Sequence, residues 1–345
     1  MKEIYINMPA GEYYGWAICG KNLITNMAKL SDKIRYIPDP AYKNVSRDYA
    51  TDTLIKSITE MPNGNDFNTL QTIDNCTPMK YKGVKNVGYM FWEEEKLPDY
   101  LIEQLKAYDV IATGSTWNTE VVKSHGFNNV VTIHQGVNTD IFKPMDKNYF
   151  KDKFVIFSGG KLEHRKSQDI VAYVVGVLQK KYKDVYLIAS WGNVFAKPEE
   201  NKQNIEKINQ YLIPEKINQY LIPSQTMVID VMPQHELIKY IAESDIGLFP
   251  NRSEGGTNLV MMEYMACGKP VIANYSRGQK DVLDPAYAVC LSGQDDNAMI
   301  EAYSLALEKA YHNRDTLMPM GIKAREAMQS FTWQKTAEEF LKLYG

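Results

Sequence analysis

The stretch from Ser244 to Ala273 constrains the fold most, because it combines a strand, a glycine loop, a helix and a second strand. Residues 245–249 form a short apolar run that ends at Pro250, which is typical of a buried parallel strand. Apolar residues then recur at three- and four-residue steps over 259–267, which predicts a helix. Gly268 suits the position after a helix, and a second short strand follows. The pattern predicts an α/β protein with a parallel sheet.

The loop in front of this helix has the chemistry of an anion site. A helix N-terminus offers unpaired N–H groups and a partial positive charge, and Gly255 and Gly256 would let a ligand approach the backbone. Glu254 lies in the loop, and the sequence places Glu263 near the start of the helix. A carboxylate beside a phosphate is repelled unless it contacts neutral groups such as sugar hydroxyls, so the pattern indicates a nucleotide-sugar site. Two alternatives stay open: a carboxylate that compensates the helix dipole, and a Gly-Gly pair that is only a turn.

The run E-Y-M-A-C-G-K-P-V, which starts at Glu263, resembles the donor-site signature of GT-B glycosyltransferases, in particular the retaining group-one enzymes (glycosyltransferase family four). In that family two glutamates flank seven residues, whereas eight residues separate Glu254 from Glu263 here. The loop is therefore one residue longer than the family pattern. The resemblance implies two Rossmann-like, doubly wound domains that face a cleft, with a C-terminal helix that crosses back to the first domain.

A second glycine loop follows the predicted strand 154–157 and reads S-G-G-K-L-E-H-R-K-S before a helix over 168–181. Two glycines, then cations five residues apart, then a helix form a loop that can receive an anion. The run is similar to the family's G-R-L-x-x-x-K-G. That similarity implies that Lys161 and Lys166 hold the donor diphosphate. Lys161 stands where the family has arginine and lacks its bidentate fork, so we expect a more point-like contact.

The resemblance assigns roles residue by residue. Lys161 and Lys166, with backbone N–H groups near Gly256, would stabilise the leaving diphosphate. Glu263 would hold the ribose hydroxyls, and Glu254 would grip the donor sugar. The predicted catalytic residues are Lys161, Lys166 and Glu254. The predicted donor-binding residues are Gly15, Gly160, Gly255, Gly256, Thr257, Asn258, Leu259 and Glu263.

The N-terminal half begins with a predicted strand and a helix over 15–30. The run from Gly15 to Asn22 nearly spells a P-loop, but Asn22 stands where a Mg²⁺-binding hydroxyl is needed, and the intervening residues are apolar and helix-like. We therefore favour a Rossmann-like opening with Gly15 at the helix start. Trp92 and Glu93 follow another predicted strand. Because ligands bind at the carboxyl ends of parallel strands, both are acceptor-side candidates.

Length and sequence similarity together predict the domain organisation. The 345 residues are too many for one typical core. The run G-V-N-T-D-I-F-K-P over 136–144 resembles the family's end-of-first-domain segment. We predict an acceptor domain over 1–148, a donor domain over 149–325 and a returning helix over 326–345. A nine-residue run over 206–214 repeats over 215–223. This duplication is too short for a solenoid and receives no functional interpretation.

Composition narrows the functional class. The net charge of about −3 gives no bulk electrostatic case for nucleic acid or an anionic membrane. The four cysteines show no metal-ligand spacing, and Cys19 and Cys267 fall in apolar helical patterns, so we predict reduced core residues. The sequence predicts no signal peptide, no transmembrane segment, no metal and no cofactor beyond the nucleotide sugar. A cytoplasmic protein is the resulting expectation.

The predicted function is hexosyl transfer from a nucleoside-diphosphate sugar to a hydroxyl of a glycan, lipid or other acceptor. Retention of configuration and independence of metal are what the resemblance implies. Two alternatives remain. One is a nucleotide-sugar epimerase of the same fold, which would act on the donor alone. The other is a catalytically silent sugar-nucleotide-binding scaffold, which the presence of Lys166, Glu254 and Glu263 disfavours.

Overall fold

The computed structural model describes residues 2–38, 46–74, 78–192, 220–293 and 295–345. The chain forms two units. The first comprises Met1–Gly136, Glu254–Leu259 and Phe331–Gly345, and the second comprises Val137–Ser253 and Val260–Ser330. Within the described residues each unit holds a six-stranded parallel sheet, which confirms the predicted α/β class with two Rossmann-like sheets. Most of the predicted duplication, residues 206–219, lies outside the described residues.

The sheet of the first unit consists of the strands up to residue 132. They are β1 (Ile4–Asn7), β2 (Ile34–Tyr36), β3 (Asn68–Thr72), β4 (Lys85–Met90), β5 (Val110–Thr113) and β6 (Val130–Thr132). Their order is β2-β1-β3-β4-β5-β6, and all neighbours are parallel. Every residue of β1 is buried. A parallel strand that is covered on both faces has a nearly continuous run of apolar residues. These strands could therefore be recognised in the sequence.

The sheet of the second unit consists of the later strands. They are β7 (Phe154–Gly159), β8 (Val185–Ser190), β9 (Thr226–Ile229), β10 (Ile246–Phe249), β11 (Val271–Asn274) and β12 (Val289–Leu291). Their order is β12-β11-β10-β7-β8-β9. The chain adds β8 and β9 on one side of β7, and it adds β11 and β12 on the opposite side of the sheet, next to β10. The two central strands therefore meet at a topological switch point, where the loops after parallel strands diverge and leave a crevice.

Helices provide the connections that parallel strands require. They are α1 (Gly15–Leu30), α2 (Tyr49–Ser57), α3 (Asp99–Leu105), α4 (Thr116–Ser124), α5 (Gln168–Lys181), α6 (Gln234–Ala242), α7 (Leu259–Ala266), α8 (Asp296–His312), α9 (Leu317–Met328) and α10 (Trp333–Lys342). The side chain of Ser115 accepts a hydrogen bond from Asn118 N and so caps the start of α4. In the described parts of the chain, no helix is both long and apolar enough to traverse a lipid bilayer.

The C-terminal part of the chain forms two helices, whereas the sequence predicts one returning helix over 326–345. The structure divides this range between α9 and α10. The side chain of Thr332 accepts a hydrogen bond from Lys335 N and so starts a new helix. The last helix, α10, packs within the first unit: Thr336 Oγ1 donates to His134 O at 2.9 Å, and the ring of Phe340 lies 4.9 Å from that of Tyr89. The C-terminal helix thus completes the core of the first unit.

Phe340→Ala should destabilise the protein, because Phe340 is fully buried against Tyr89 in this core. Loss of a buried phenyl ring costs about 3–5 kcal/mol of unfolding free energy. Urea denaturation followed by fluorescence would measure the change. Leu305→Ala is the matched control, because Leu305 is 64% exposed on α8 and should change stability by no more than about 0.5 kcal/mol. Equal stability of the two variants would contradict this placement of α10.

Candidate functional site

The predicted anion loop of the second unit lies at the switch point, where β7 ends beside β10. Gly160 has a φ of +140°, a conformation that residues with a Cβ rarely adopt, and its N–H donates to Ser190 O at 3.1 Å. The aliphatic stem of Lys166 covers this glycine, with Cδ 3.6 Å from where a Cβ on Gly160 would stand. The structure therefore brings Gly160 and Lys166 together, and their role in holding a diphosphate stays a prediction.

Lys161 lies in the same loop and is held by two contacts that the sequence analysis did not identify. Its Nζ pairs with the carboxylate of Glu163, which Arg165 Nη2 also contacts at 2.7 Å. The buried side chain of Gln168 donates to Lys161 O at 3.0 Å. Residues 161–166 contain three cationic side chains and one carboxylate, so the loop has an excess of positive charge. Such an excess favours an anionic ligand.

Glu263 occupies the second turn of α7, and no acidic residue lies in the first turn. Glu263 is thus the fifth residue of a helix that begins at the predicted residue 259, and compensation of the helix dipole in the first turn does not account for it. Glu263 is 2% exposed, and Gln234 Nε2 donates to its Oε1. Burial, followed by the charge of Glu263, raises the pKa of the nearby Cys267 thiol to about 12. The bond from Gln234 holds this buried carboxylate in a defined direction.

Gln234 is a site residue that the sequence analysis missed. This residue is buried at the start of α6. His235 and Glu236 are exposed. The partner of Gln234 lies 29 positions later in the chain, so no local pattern reveals the pair.

The segment Glu254–Leu259 belongs to the first unit. The side chain of Leu259 enters the apolar core that includes Ile4 and Ile6. Ser115 Oγ donates to Gly255 O at 2.7 Å. A Cβ on Gly255 would lie only 2.2 Å from Trp92 O, so the backbones of these two residues are in direct contact. The structure therefore places the glycine loop beside the acceptor-side candidate Trp92.

The remaining predicted residues of this loop are buried. Glu254 is 6% exposed and Thr257 is fully buried. Asn258 is buried and has a φ of 63°, a left-handed conformation that asparagine tolerates better than most residues, directly before α7. A Cβ on Gly256 would lie 2.8 Å from the ring of Phe91. The loop is thus a packed element of the first unit, and the ligand roles predicted for its residues stay predictions.

The N-terminal candidates occupy the carboxyl ends of β1 and β4. Gly15 begins α1, and the position of a Cβ on it has no atom within 4 Å. Trp92 N donates to Asn118 Oδ1 at 3.0 Å, while Glu93 follows in a partly buried position. Lys21 is buried inside α1 with its Nζ 3.7 Å from Glu12 Oε1. A lysine in that position does not close a phosphate-binding loop, in line with our rejection of the P-loop pattern.

Within each unit the structure brings several candidates together. Gly160, Lys161 and Lys166 share one loop of the second unit, and Glu263 pairs with Gln234 in the same unit. Gly255 and Gly256 contact the segment of Phe91 and Trp92 in the first unit. Among the residues that the structure describes, no group of three or more His, Cys, Asp or Glu side chains is arranged to hold a metal ion.

Comparison with known families agrees with this geometry. Residues 140–327 match the model of the family described as glycosyl transferases group 1. The match covers more than half of the 345 residues. The chain therefore belongs to the group-one glycosyltransferase family. The matched range includes the loop of Lys161 and Lys166, the whole of α7 and Gln234.

Two curated relatives are each similar over about three fifths of the chain. The D-inositol 3-phosphate glycosyltransferase of Paenarthrobacter aurescens is 24% identical over 218 residues, which are 61% of this chain and 50% of the relative. The GDP-mannose-dependent alpha-(1-6)-phosphatidylinositol monomannoside mannosyltransferase of Mycolicibacterium smegmatis is 23% identical over 224 residues, 60% of this chain and 54% of the relative. The chain thus spans about half the length of these relatives.

Solved structures share the fold over the full chain. The sucrose-phosphate synthase of Thermosynechococcus elongatus superposes with a TM-score of 0.73 at 14% identity, covering 100% of this chain and 98% of that one. Anabaena HepE, solved in complex with UDP-glucose, gives a TM-score of 0.69 at 12% identity, covering 100% and 99%. These similarities, with the two parallel sheets, confirm the predicted GT-B fold.

Gly255→Ala should disrupt the packing of the glycine loop, because its methyl group would overlap the backbone oxygen of Trp92. We expect a loss of about 1–3 kcal/mol in unfolding free energy, measured by chemical denaturation. Gly15→Ala is the matched control: it adds the same methyl group where no atom lies within 4 Å. This control should stay within about 0.5 kcal/mol of the unmodified protein. A Gly255→Ala protein as stable as the control would refute the contact.

Proposed function

We propose that this protein is a glycosyltransferase that moves a sugar from a nucleoside-diphosphate sugar to an acceptor hydroxyl. One observation supports this most. Within the range that matches the family, a glycine loop with excess positive charge lies at the switch point of the second sheet, and Lys166 covers its Gly160. A crevice at a switch point is where open α/β sheets bind ligands. The relatives named above are glycosyltransferases, and HepE was solved with UDP-glucose.

The cationic loop has a defined task in this reaction. Cleavage of the bond between the anomeric carbon and the diphosphate oxygen leaves negative charge on the diphosphate and positive charge on the sugar ring. Lys166 and Lys161 stabilise the departing diphosphate, and the N–H groups at the start of α7 add to this field. The two lysines carry this charge without a protein-bound metal. They act most strongly on the charge that develops in the transition state, which is the condition for accelerating the reaction.

Glu263 binds the nucleoside. A carboxylate offers about four acceptor positions, so its bond from Gln234 is compatible with acceptance from two vicinal ribose hydroxyls. Since Glu263 is buried, such bonds form in a low-dielectric setting and contribute more than they would at the surface. Gln234 fixes the direction of the carboxylate and therefore contributes to donor binding through Glu263.

Transfer proceeds with retention of configuration in this proposal. The acceptor hydroxyl attacks the anomeric carbon on the face that the diphosphate leaves, and the departing diphosphate oxygen takes the hydroxyl proton. Glu254 holds hydroxyls of the donor sugar. Trp92 and Glu93, at the end of β4 in the first unit, are the acceptor-side residues, and Gly255 already contacts Trp92. No enzyme nucleophile is required for this same-face route.

A panel of UDP-, GDP- and ADP-sugars tests the proposal directly. We expect one donor class to raise the melting temperature selectively and to undergo slow hydrolysis without an acceptor, with activity unchanged by EDTA. Product from the correct acceptor should keep the anomeric configuration by NMR. Conversion of the donor into an isomeric nucleotide sugar would instead identify an epimerase. Absence of stabilisation by any of the three classes would refute the nucleotide-sugar function.

Lys166→Ala should lower kcat about 100-fold, because loss of one electrostatic contact to a developing charge is typically worth roughly 3 kcal/mol. The donor assay above provides the rate, and a melting curve confirms that the variant is folded. Lys151→Ala is the control, since Lys151 is an exposed lysine of the same unit and its removal changes the net charge equally. Near-native turnover of Lys166→Ala would remove this lysine from the mechanism.

A further inference from the structure

Arg252 directly precedes the Ser253–Gly256 loop and uses all of its side-chain hydrogen-bond donors. Nε donates to Asp296 Oδ1 at 2.9 Å and Nη2 donates to Asp296 Oδ2 at 2.9 Å. Nη1 donates to Asp169 Oδ1 at 2.8 Å, and Nη2 also contacts Asp169 Oδ2. The second hydrogen of Nη1 reaches His164 O at 2.9 Å. The five N–H groups of the guanidinium are thus occupied by protein oxygens.

These contacts join three segments of the second unit. Asp169 lies in the first turn of α5 and Asp296 in the first turn of α8. His164 starts the short 3-10 turn that ends with Lys166. The backbone adds two further bonds, because Arg252 N donates to Arg165 O at 2.8 Å and to Ser167 Oγ at 3.2 Å. Arg252 therefore holds the cationic loop by both its side chain and its main chain.

The geometry distinguishes this arginine from a phosphate ligand. Two carboxylates balance its charge, and no donor of its side chain remains for an incoming anion. Its side chain is 15% exposed. Although burial disfavours the charged form, hydrogen bonds from Arg252 to Asp169 and Asp296 hold the pKa of Arg252 above its usual value. An arginine fixed in this way orders its surroundings.

The loop that Arg252 holds also needs an external constraint. Ser167, between the 3-10 turn and α5, has a φ of 57° and is fully buried. A serine in the left-handed region costs free energy and persists only where the surroundings impose it. Three cations crowd residues 161–166 and repel one another. Neither feature favours the observed loop, so contacts from outside the loop must stabilise it.

We propose that Arg252 is a positioning residue that orders the loop of Lys161 and Lys166 before the donor binds. This inference rests on the proposed function for its consequence in catalysis, but the ordering of the loop is independent of it. A bidentate guanidinium bridging two carboxylates restricts the loop in direction as well as in distance. Lysine in its place keeps the charge and loses the fork.

Hydrogen exchange and steady-state kinetics on the full chain test this role together. We expect Arg252→Gln to accelerate amide exchange in residues 161–168 and 250–253 of the donor-free protein, with other described segments unchanged. We expect kcat/KM for the donor to fall about 100-fold, because misplacement by about 1 Å can cost that much. For Arg252→Lys we expect amide exchange and kcat/KM that lie between those of the unmodified protein and those of Arg252→Gln. Arg314→Gln is the control, since Arg314 pairs with Asp184 in the same unit at 39% exposure and should leave both measurements unchanged.

The outcomes separate the two proposals. Unchanged exchange at residues 161–168 in Arg252→Gln would overturn the positioning role, even if activity fell. Faster exchange spread evenly over the chain would also overturn it, because that marks general destabilisation. If Arg252→Gln does not fold, Asp296→Asn provides the same test, since it removes one carboxylate and leaves Asp169 in place. Localised exchange in a protein that binds no nucleotide sugar would uphold the ordering of the loop and refute the proposed function.

Discussion

The adjacency of β7 and β10 is the constraint on which the donor-side chemistry depends. Both strands are buried on both faces, so their apolar sequences fix the sheet, and the chain must leave them through loops at one edge. The loop after β7 carries Gly160, Lys161 and Lys166, and the loop after β10 carries Asn251 and Arg252. Strand order alone would bring these loops near each other. Arg252 then converts proximity into a fixed arrangement, through hydrogen bonds to backbone and carboxylate oxygens.

Much of this arrangement could be predicted from the sequence, because its determinants are local. Apolar runs bounded by glycine and proline identified the strands, and the glycine-lysine pattern located the loop that follows β7. The start of α7 at residue 259 was predicted correctly, but Glu263 is the fifth residue of this helix and so lies beyond its first turn. Contacts between residues that are distant in the sequence could not be predicted. Gln234 meets Glu263 across 29 positions and Arg252 meets Asp169 across 83, and neither pair has a short-range pattern.

Gly255 and Gly256, which the sequence analysis interprets as a place where a ligand can approach the backbone, also have a role in packing. Neither residue has a positive φ, so the requirement for glycine is not that of a simple left-handed turn. Gly255 instead meets the backbone of Trp92, and its carbonyl accepts from Ser115. The same residues that could admit a ligand are therefore needed for packing in the first unit. A substitution of either glycine disturbs this packing. Loss of activity in such a variant is therefore weak evidence for a ligand contact.

The charge balance of the loop suggests why its two lysines differ from Arg252. Glu163 contacts both Lys161 and Arg165, and so offsets part of their mutual repulsion in the donor-free protein. The side chains of Lys161 and Glu163 are 35% and 28% exposed, so exchange of the carboxylate for a diphosphate oxygen leaves no deeply buried charge unpaired. Lys161 can therefore change partner at low cost when a donor arrives. Arg252 cannot change partner in this way, because the carboxylates of Asp169 and Asp296 would both lose their cation. The loop after β7 thus carries exchangeable cations for the ligand, while Arg252, in the loop after β10, is a permanent cation that fixes the shape of the first loop.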